Sequence, residues 1–138
     1  MKNLAPQMVL ACILTLMLPV AAFGQQTATI PEANIQNAGT YNDRGIAKRK
    51  KGDLDGAIAD FTKAIELKPN YAEAYANRGN AKQAKGDLDG AIADSTNAIE
   101  LKPDDAEAYT NRGNAKRAKG DLDGAIADST KTIELKPD

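Results

Sequence analysis

An all-α solenoid of three stacked helix–turn–helix units is the fold this sequence predicts, and three observations predict it. From Ala38 onward the chain repeats every 34 residues: the Arg-Gly glycines fall at Gly45, Gly79 and Gly113, and the Lys-Pro prolines at Pro69, Pro103 and Pro137. Apolar residues inside each unit step by threes and fours, which marks one face of a helix. Glycine, aspartate and proline recur where helices should stop and start. A fixed period of this length means copies of one supersecondary unit stacked side by side, not a single wrapped core. Such a chain builds an extended surface, so its default use is to hold another molecule.

Residues 1–24 stand apart from the repeats. Lys2 supplies one positive charge, Met8 to Phe23 is an uncharged apolar run, and Ala22 and Gly24 put small residues three and one before Gln25. That order is the pattern of a secretory signal, which predicts cleavage and a periplasmic or secreted product. The alternative is an uncleaved membrane anchor, but a spanning helix needs roughly 20 apolar residues, and this run is interrupted by Thr15 and Pro19. Cys12 is the only cysteine. Val9-Leu10-Ala11-Cys12 is similar to a bacterial lipobox, yet the apolar run continues past the cysteine, where a lipobox would close it. Cys12 is expected to leave with the signal, which removes thiol and disulfide chemistry. Lys2 is the one charged residue in this segment, so the remainder carries two more acids than bases. That balance gives no support for nucleic acid, or for a membrane after signal cleavage, as a partner.

Residues 25–37 are rich in Gln, Ala, Thr and Asn, without apolar periodicity, and read as a tether. The three repeats then occupy 38–70, 71–104 and 105–138. Each second half shows the clearer helix: Leu54, Ala57, Ile58, Phe61, Ala64 and Ile65 share one face. Each first half has a thinner stripe, such as Ala74, Tyr75 and Ala81 with Gly79 on the same side. A glycine inside a helix costs about 1 kcal/mol against alanine, so close approach of the partner helix at Ala91 is its expected reason. Gly52-Asp53-Leu54-Asp55 and its two copies should stop one helix with glycine and cap the next with aspartate. Asn70 and Asp104, with Glu73 and Glu107 three residues on, read as capping boxes. The Asp-Leu-Asp-Gly string lacks the third oxygen ligand and the distal glutamate of a calcium loop, so capping and no metal is the reading.

The 34-residue period, the Tyr-x-x-x-Gly opening, the alanine of Gly-Ala-Ile-Ala and the closing Ile-Glu-Leu-Lys-Pro resemble the tetratricopeptide repeat (TPR). The resemblance covers Ala38 to Asp138 and implies six antiparallel helices in a right-handed superhelix, with each first helix lining the concave face. Several positions depart from the family pattern. The large apolar residue of the second helix is Phe61 in repeat one but Ser95 and Ser129 in the others. The usual leucine before the glycine is Arg44, Arg78 or Arg112, and the aromatic three residues after it is Lys48, Lys82 or Lys116. Asp60, Asp94 and Asp128 recur in step with the arginines. Arg78 therefore has two candidate partners, Asp94 and Asp60, against the alternative of independently solvated charges. Residues 72–104 and 106–138 differ only at Ala76/Thr110, Gln83/Arg117, Asn97/Lys131 and Ala98/Thr132. Near-identical repeats favour a generic or repetitive ligand, or a recent duplication without a refined site.

Catalysis finds no support: histidine is absent, no serine sits beside a recognisable base, and neither metal-ligand spacing nor a phosphate-binding glycine loop occurs. No enzyme activity and no cofactor are expected. The groove is the better candidate. Glu73, Ala76, Asn80 and Gln83 step by three, four and three along one face, as do Glu107, Thr110, Asn114 and Arg117, with Asn42, Ile46 and Arg49 in repeat one. By the resemblance this face lines the concave surface. Asn80 and Asn114 lead the set, because an amide both donates to and accepts from an extended backbone; the alternative is a merely solvated polar face. Some cytosolic members grip the C-terminal carboxylates of heat-shock chaperones with lysines, an arginine and asparagines on this face. Only Asn80 matches. Asn42 and Thr110 stand where lysines are expected, Ile46 replaces an asparagine and Asn114 replaces the arginine, which argues against that role. The basic run Arg44, Lys48, Arg49, Lys50 and Lys51 reads as a solvated helix end, where cations are favoured, with a site for an acidic partner or polyanion as the alternative. The expectation is an exported scaffold binding a protein or peptide. The alternatives are self-association through the open apolar end of the third repeat, or a fragment of a longer array.

Overall fold

The computed structural model describes residues 32–136, with side chains from Gln36 onward. It contains six helices: α1 (Glu32–Lys50), α2 (Leu54–Leu67), α3 (Ala72–Lys85), α4 (Leu88–Leu101), α5 (Ala106–Lys119) and α6 (Leu122–Leu135). They pack as three hairpins, α1 on α2, α3 on α4 and α5 on α6, and each hairpin stacks on the next. The predicted all-α repeat solenoid is the fold found. The expected signal segment, Cys12 and residues 25–31 lie outside the described residues.

The turns inside the hairpins follow from local chemistry. Gly52, Gly86 and Gly120 close the first helices with φ of 83°, 90° and 93°, a left-handed conformation that costs glycine no Cβ clash. The next residue then caps the following helix. The Asp53, Asp87 and Asp121 carboxylates each accept the backbone N–H of the glycine three residues on, at 2.9 Å, which satisfies one of the otherwise orphaned donors.

Two local expectations are corrected. The caps of α3 and α5 lie one residue later than the capping boxes placed them. Asp105, not Asp104, accepts the N–H groups of Glu107 and Ala108 (3.1 and 3.3 Å), and Tyr71 occupies the matching position without a side-chain bond. The turn after each Lys-Pro takes two residues before the helix direction reverses: Tyr71 N–H returns to the Lys68 carbonyl and Asp105 N–H to that of Lys102. Asn70 and Asp104 are spent in that turn. The second correction concerns the tether, because α1 begins at Glu32 and makes residues 32–37 helical. A proline just ahead of a helix removes no needed hydrogen bond, and no breaker follows Pro31 before Gly39.

Helix glycines permit the close approach expected of them. A Cβ on Gly79 would lie 3.2 Å from both the Ala91 carbonyl and Ser95 Oγ, and one on Gly45 would lie 2.6 Å from the Phe61 ring. Phe61 is fully buried among Ala57, Ala81, Ile46 and Ile58. Ala64, Ile65 and Ala74 pack beneath Tyr41, Tyr71 and Tyr75, and Ala76, Ala98 and Ala108 join α3, α4 and α5. The core thins along the chain. Ser95 is buried with an unpartnered hydroxyl among the described residues, and Ser129 is exposed, bonding back to the Ala125 carbonyl.

Helices α1 and α3 touch, as do α3 and α5, whereas α2, α4 and α6 make no contact with one another among the described residues. The array is drawn together on the first-helix side and splayed on the other. That makes α1, α3 and α5 the inside of the curve.

Candidate functional site

The groove rests on a repeated ionic frame. Arg44 donates through Nε and Nη2 to both oxygens of Asp60 (2.7 and 2.5 Å). Arg78 holds Asp94 in the same fork (2.8 and 2.7 Å), and Arg112 holds Asp128 (2.9 and 2.7 Å). Lys48, Lys82 and Lys116 complete each site at 2.9 Å from the same carboxylate. All three aspartates are buried. Of the two partners open to Arg78, Asp94 within the repeat is the one used. The link to repeat one runs instead through Thr62, whose Oγ1 accepts from Arg78 Nη1 at 3.1 Å, as Thr96 accepts from Arg112 at 3.3 Å. Each arginine also lies over the tyrosine three residues before it. The hydrogen bond from Arg44, helped by Lys48 and opposed by burial, holds the Asp60 carboxyl below the usual carboxylate range. Burial pushes Asp128 up, but Arg112 and Lys116 together outweigh it and leave that carboxyl lowered too. The cations that interrupt the apolar family pattern thus lock each hairpin around a buried carboxylate. Two of the five residues in the basic run, Arg44 and Lys48, belong to this frame.

The structure divides the predicted site residues. Asn42 is buried between α1 and α3, accepting from Asn77 Nδ2 at 3.1 Å and donating to Glu73 Oε1 at 3.2 Å. Its amide joins helices rather than facing outward. Ile46 packs on the Phe61 cluster, and Ala76 is buried against Ala98 and Ala108. Arg49 is half-buried, its Nε unpartnered among the described residues. Thr110 bonds its own helix at Ala106 and meets Thr132 Oγ1 at 3.2 Å. Two of the four differences between repeats two and three are therefore one paired change, Ala76–Ala98 becoming Thr110–Thr132. The others form a row along α3 and α5: Glu73 and Glu107 exposed, Asn80, Gln83 and Asn114 half-buried, and Arg117 exposed. Arg117 donates to Asn114 Oδ1 at 3.3 Å, while Asn80 and Gln83 make no side-chain hydrogen bond among the described residues.

Sequence reasoning missed Asn77 and Asn111, which recur in register one position after the tested face. Ala76 stands one repeat after Asn42, so Asn111 lacks the partner Asn77 has, and its buried Nδ2 is unpaired among the described residues. It also missed a cleft of about 570 Å³ where the row meets the Lys-Pro turns, lined by Lys68, Tyr71, Glu73, Asn77, Lys102, Asp105, Glu107 and Lys136 among others. Half of that lining comes from turns after second helices, invisible to a search along one helix face. Amides able to pair with a backbone, beside acids and lysines able to select charged side chains, make a surface for an extended polar chain.

A family profile described as TPR repeat matches residues 45–86 and 79–116, and one described as tetratricopeptide repeat matches 106–138. No curated protein sequence matches the chain. Several solved structures are similar. The second TPR of Spaghetti (RPAP3), bound to the HSP90 peptide SRMEEVD, is 31% identical over 75% of this chain and 96% of that one, with a TM-score of 0.73. The Arabidopsis OM64 TPR domain is 27% identical over 75% and 86%, at 0.74. MamA is 31% identical over 72% of this chain and 58% of that one, at 0.70.

Proposed function

Because the chain belongs to the tetratricopeptide-repeat family, we propose that it is an exported, non-catalytic scaffold holding an extended protein segment along the α1–α3–α5 side. TPR domains are protein-interaction modules, and the first and the second TPR of Spaghetti (RPAP3) are each bound to the HSP90 peptide SRMEEVD. The observation that carries the reading is the pair Asn80 and Asn114, one repeat apart on touching helices. Each is half-buried and able to hold a backbone in a fixed register. Glu73 and Glu107 stand exposed in the same row. Lys68, Lys102 and Lys136 line the same cleft, so the ligand assigned here is an extended polar segment that can carry charges of both signs. Glu73 and Asn80 recur as Glu107 and Asn114, so a ligand with repeating side chains meets the same pair twice.

Replacing Asn80 and Asn114 together by alanine should weaken peptides selected from a random library roughly fivefold to a hundredfold, from two lost hydrogen bonds of ~0.5–1.5 kcal/mol each. Helicity should not change. Affinity equal to the wild type, measured by titration calorimetry, would move the site away from this row. Export rests on Lys2, the apolar run and the small residues before Gln25. The N-terminal mass of protein recovered outside the cytoplasm should begin near Gln25; a full-length mass in the membrane fraction would revive the anchor.

A further inference from the structure

We propose that α6 of one copy is covered by α1 of a second copy, head to tail, in the register that joins successive repeats within the chain. The proposal is independent of the groove. On α6, Leu122, Ile126 and Ile133 are 60%, 65% and 68% exposed and line an open cleft of about 380 Å³. One repeat earlier, Leu88, Ile92 and Ile99 are half-buried on α4, which α5 covers. At the other end, the Arg44 side chain is 54% exposed, against 16% for Arg78 and 17% for Arg112. Each end of the described array therefore shows one half of an interface that the chain builds twice inside itself.

The polar groups say which half fits. At both internal junctions a threonine of the earlier repeat accepts an arginine of the later one, Thr62 from Arg78 and Thr96 from Arg112. Thr130 is the next threonine in that register. Its hydroxyl proton goes to the Ile126 carbonyl, just as those of Thr62 and Thr96 go to Ile58 and Ile92, so its oxygen can still accept. The arginine one repeat before Arg78 is Arg44. Likewise Lys85 pairs with Asp55 and Lys119 with Asp89. One step further in that series stand Asp123 on α6 and Lys51 after α1, both exposed. A second copy laid in register thus brings Arg44 to Thr130 and Lys51 to Asp123 while it covers Leu122, Ile126 and Ile133. A heterologous contact of this kind does not close on itself, so copies add in a row and their first-helix grooves continue from one to the next.

Sedimentation of the purified protein across micromolar to millimolar concentration tests this. Mass should rise in steps of one chain. Ile126→Glu should abolish the rise at unchanged helicity, because that side chain is exposed in the single copy. Lys51→Glu and Asp123→Lys should each weaken association roughly threefold to tenfold. Mixing the two variants should restore it, since every unlike junction then joins opposite charges. A single-chain mass throughout, a rise indifferent to Ile126→Glu, or no gain on mixing would overturn the proposal. So would full hydrogen-exchange protection of α6 in the dilute monomer, because another segment of the same chain would then cover it.

Discussion

Phe61→Ala should lower stability by ~3–5 kcal/mol, the usual range for emptying a buried phenylalanine site. The site has little means to close. Its neighbours are Ala57, Ala81, Ile46 and Ile58, and the ring lies against Gly45, with space for no Cβ between them. Ala57, Ala81 and Gly45 have no side-chain torsion with which to fill the hole, which leaves Ile46 and Ile58 alone to close it. Phe61 is also the only phenylalanine in the repeats, and most other buried apolar residues are alanines. Whole domains are stable by only ~5–15 kcal/mol, so this one side chain holds a large share of the total. Urea denaturation should show the loss, and repeat-by-repeat hydrogen exchange should show where it falls. In the wild type the first repeat should exchange slowest and α6 fastest, because α6 buries only Ala125 and Asp128. In the variant the first repeat should drop to the level of the others. A loss below about 1 kcal/mol, smaller than any in the range for such sites, would mean that the Phe61 cluster is not the centre of the core.

Asp94→Ala should be comparably damaging, by ~3–5 kcal/mol, for a different reason. The change strands Arg78 and Lys82, whose side chains are only 16% and 22% exposed, and an unpaired charge in such a site cannot recover its hydration. The same substitution at Asp60 should cost less, because Arg44 is 54% exposed and can turn to water. The ranking is the decisive measurement: equal losses at both positions would show that the salt bridges act through surface charge alone. Acid gives a second readout. The Asp60 and Asp128 carboxyls are held below their ordinary values, so their contribution is fully present above the unfolded carboxylate pKa of about 3.9. It is lost as pH falls through the lower folded values. Stability should therefore fall away below about pH 4, and less so in Asp128→Asn.

The paired threonines show why some of this could not be read along the chain. Ala76/Thr110 and Ala98/Thr132 look like two unrelated substitutions 22 residues apart, and only the packing of α5 on α6 makes them one hydrogen-bonded pair at 3.2 Å. Asn42 is similar. Its helix position placed it in the groove, but Asn77 and Glu73 lie 35 and 31 residues away and draw its amide inward. Asp105 capped in place of Asp104 because a turn's length depends on how the next helix must pack.

By itself the sequence determined the repeat period, the six helices, the left-handed glycines with their aspartate caps, and the glycines that let helices approach. All of these depend on residues within one turn or one hairpin, so spacing alone carries them. The tertiary structure alone decided that Arg78 takes Asp94 and reaches Thr62, that Asn42 is buried while Asn80 is not, and that α1 and α6 present complementary ends. Those outcomes depend on how far apart helices stack and how the array curves, and helix periodicity says which face a residue is on but not what lies opposite it.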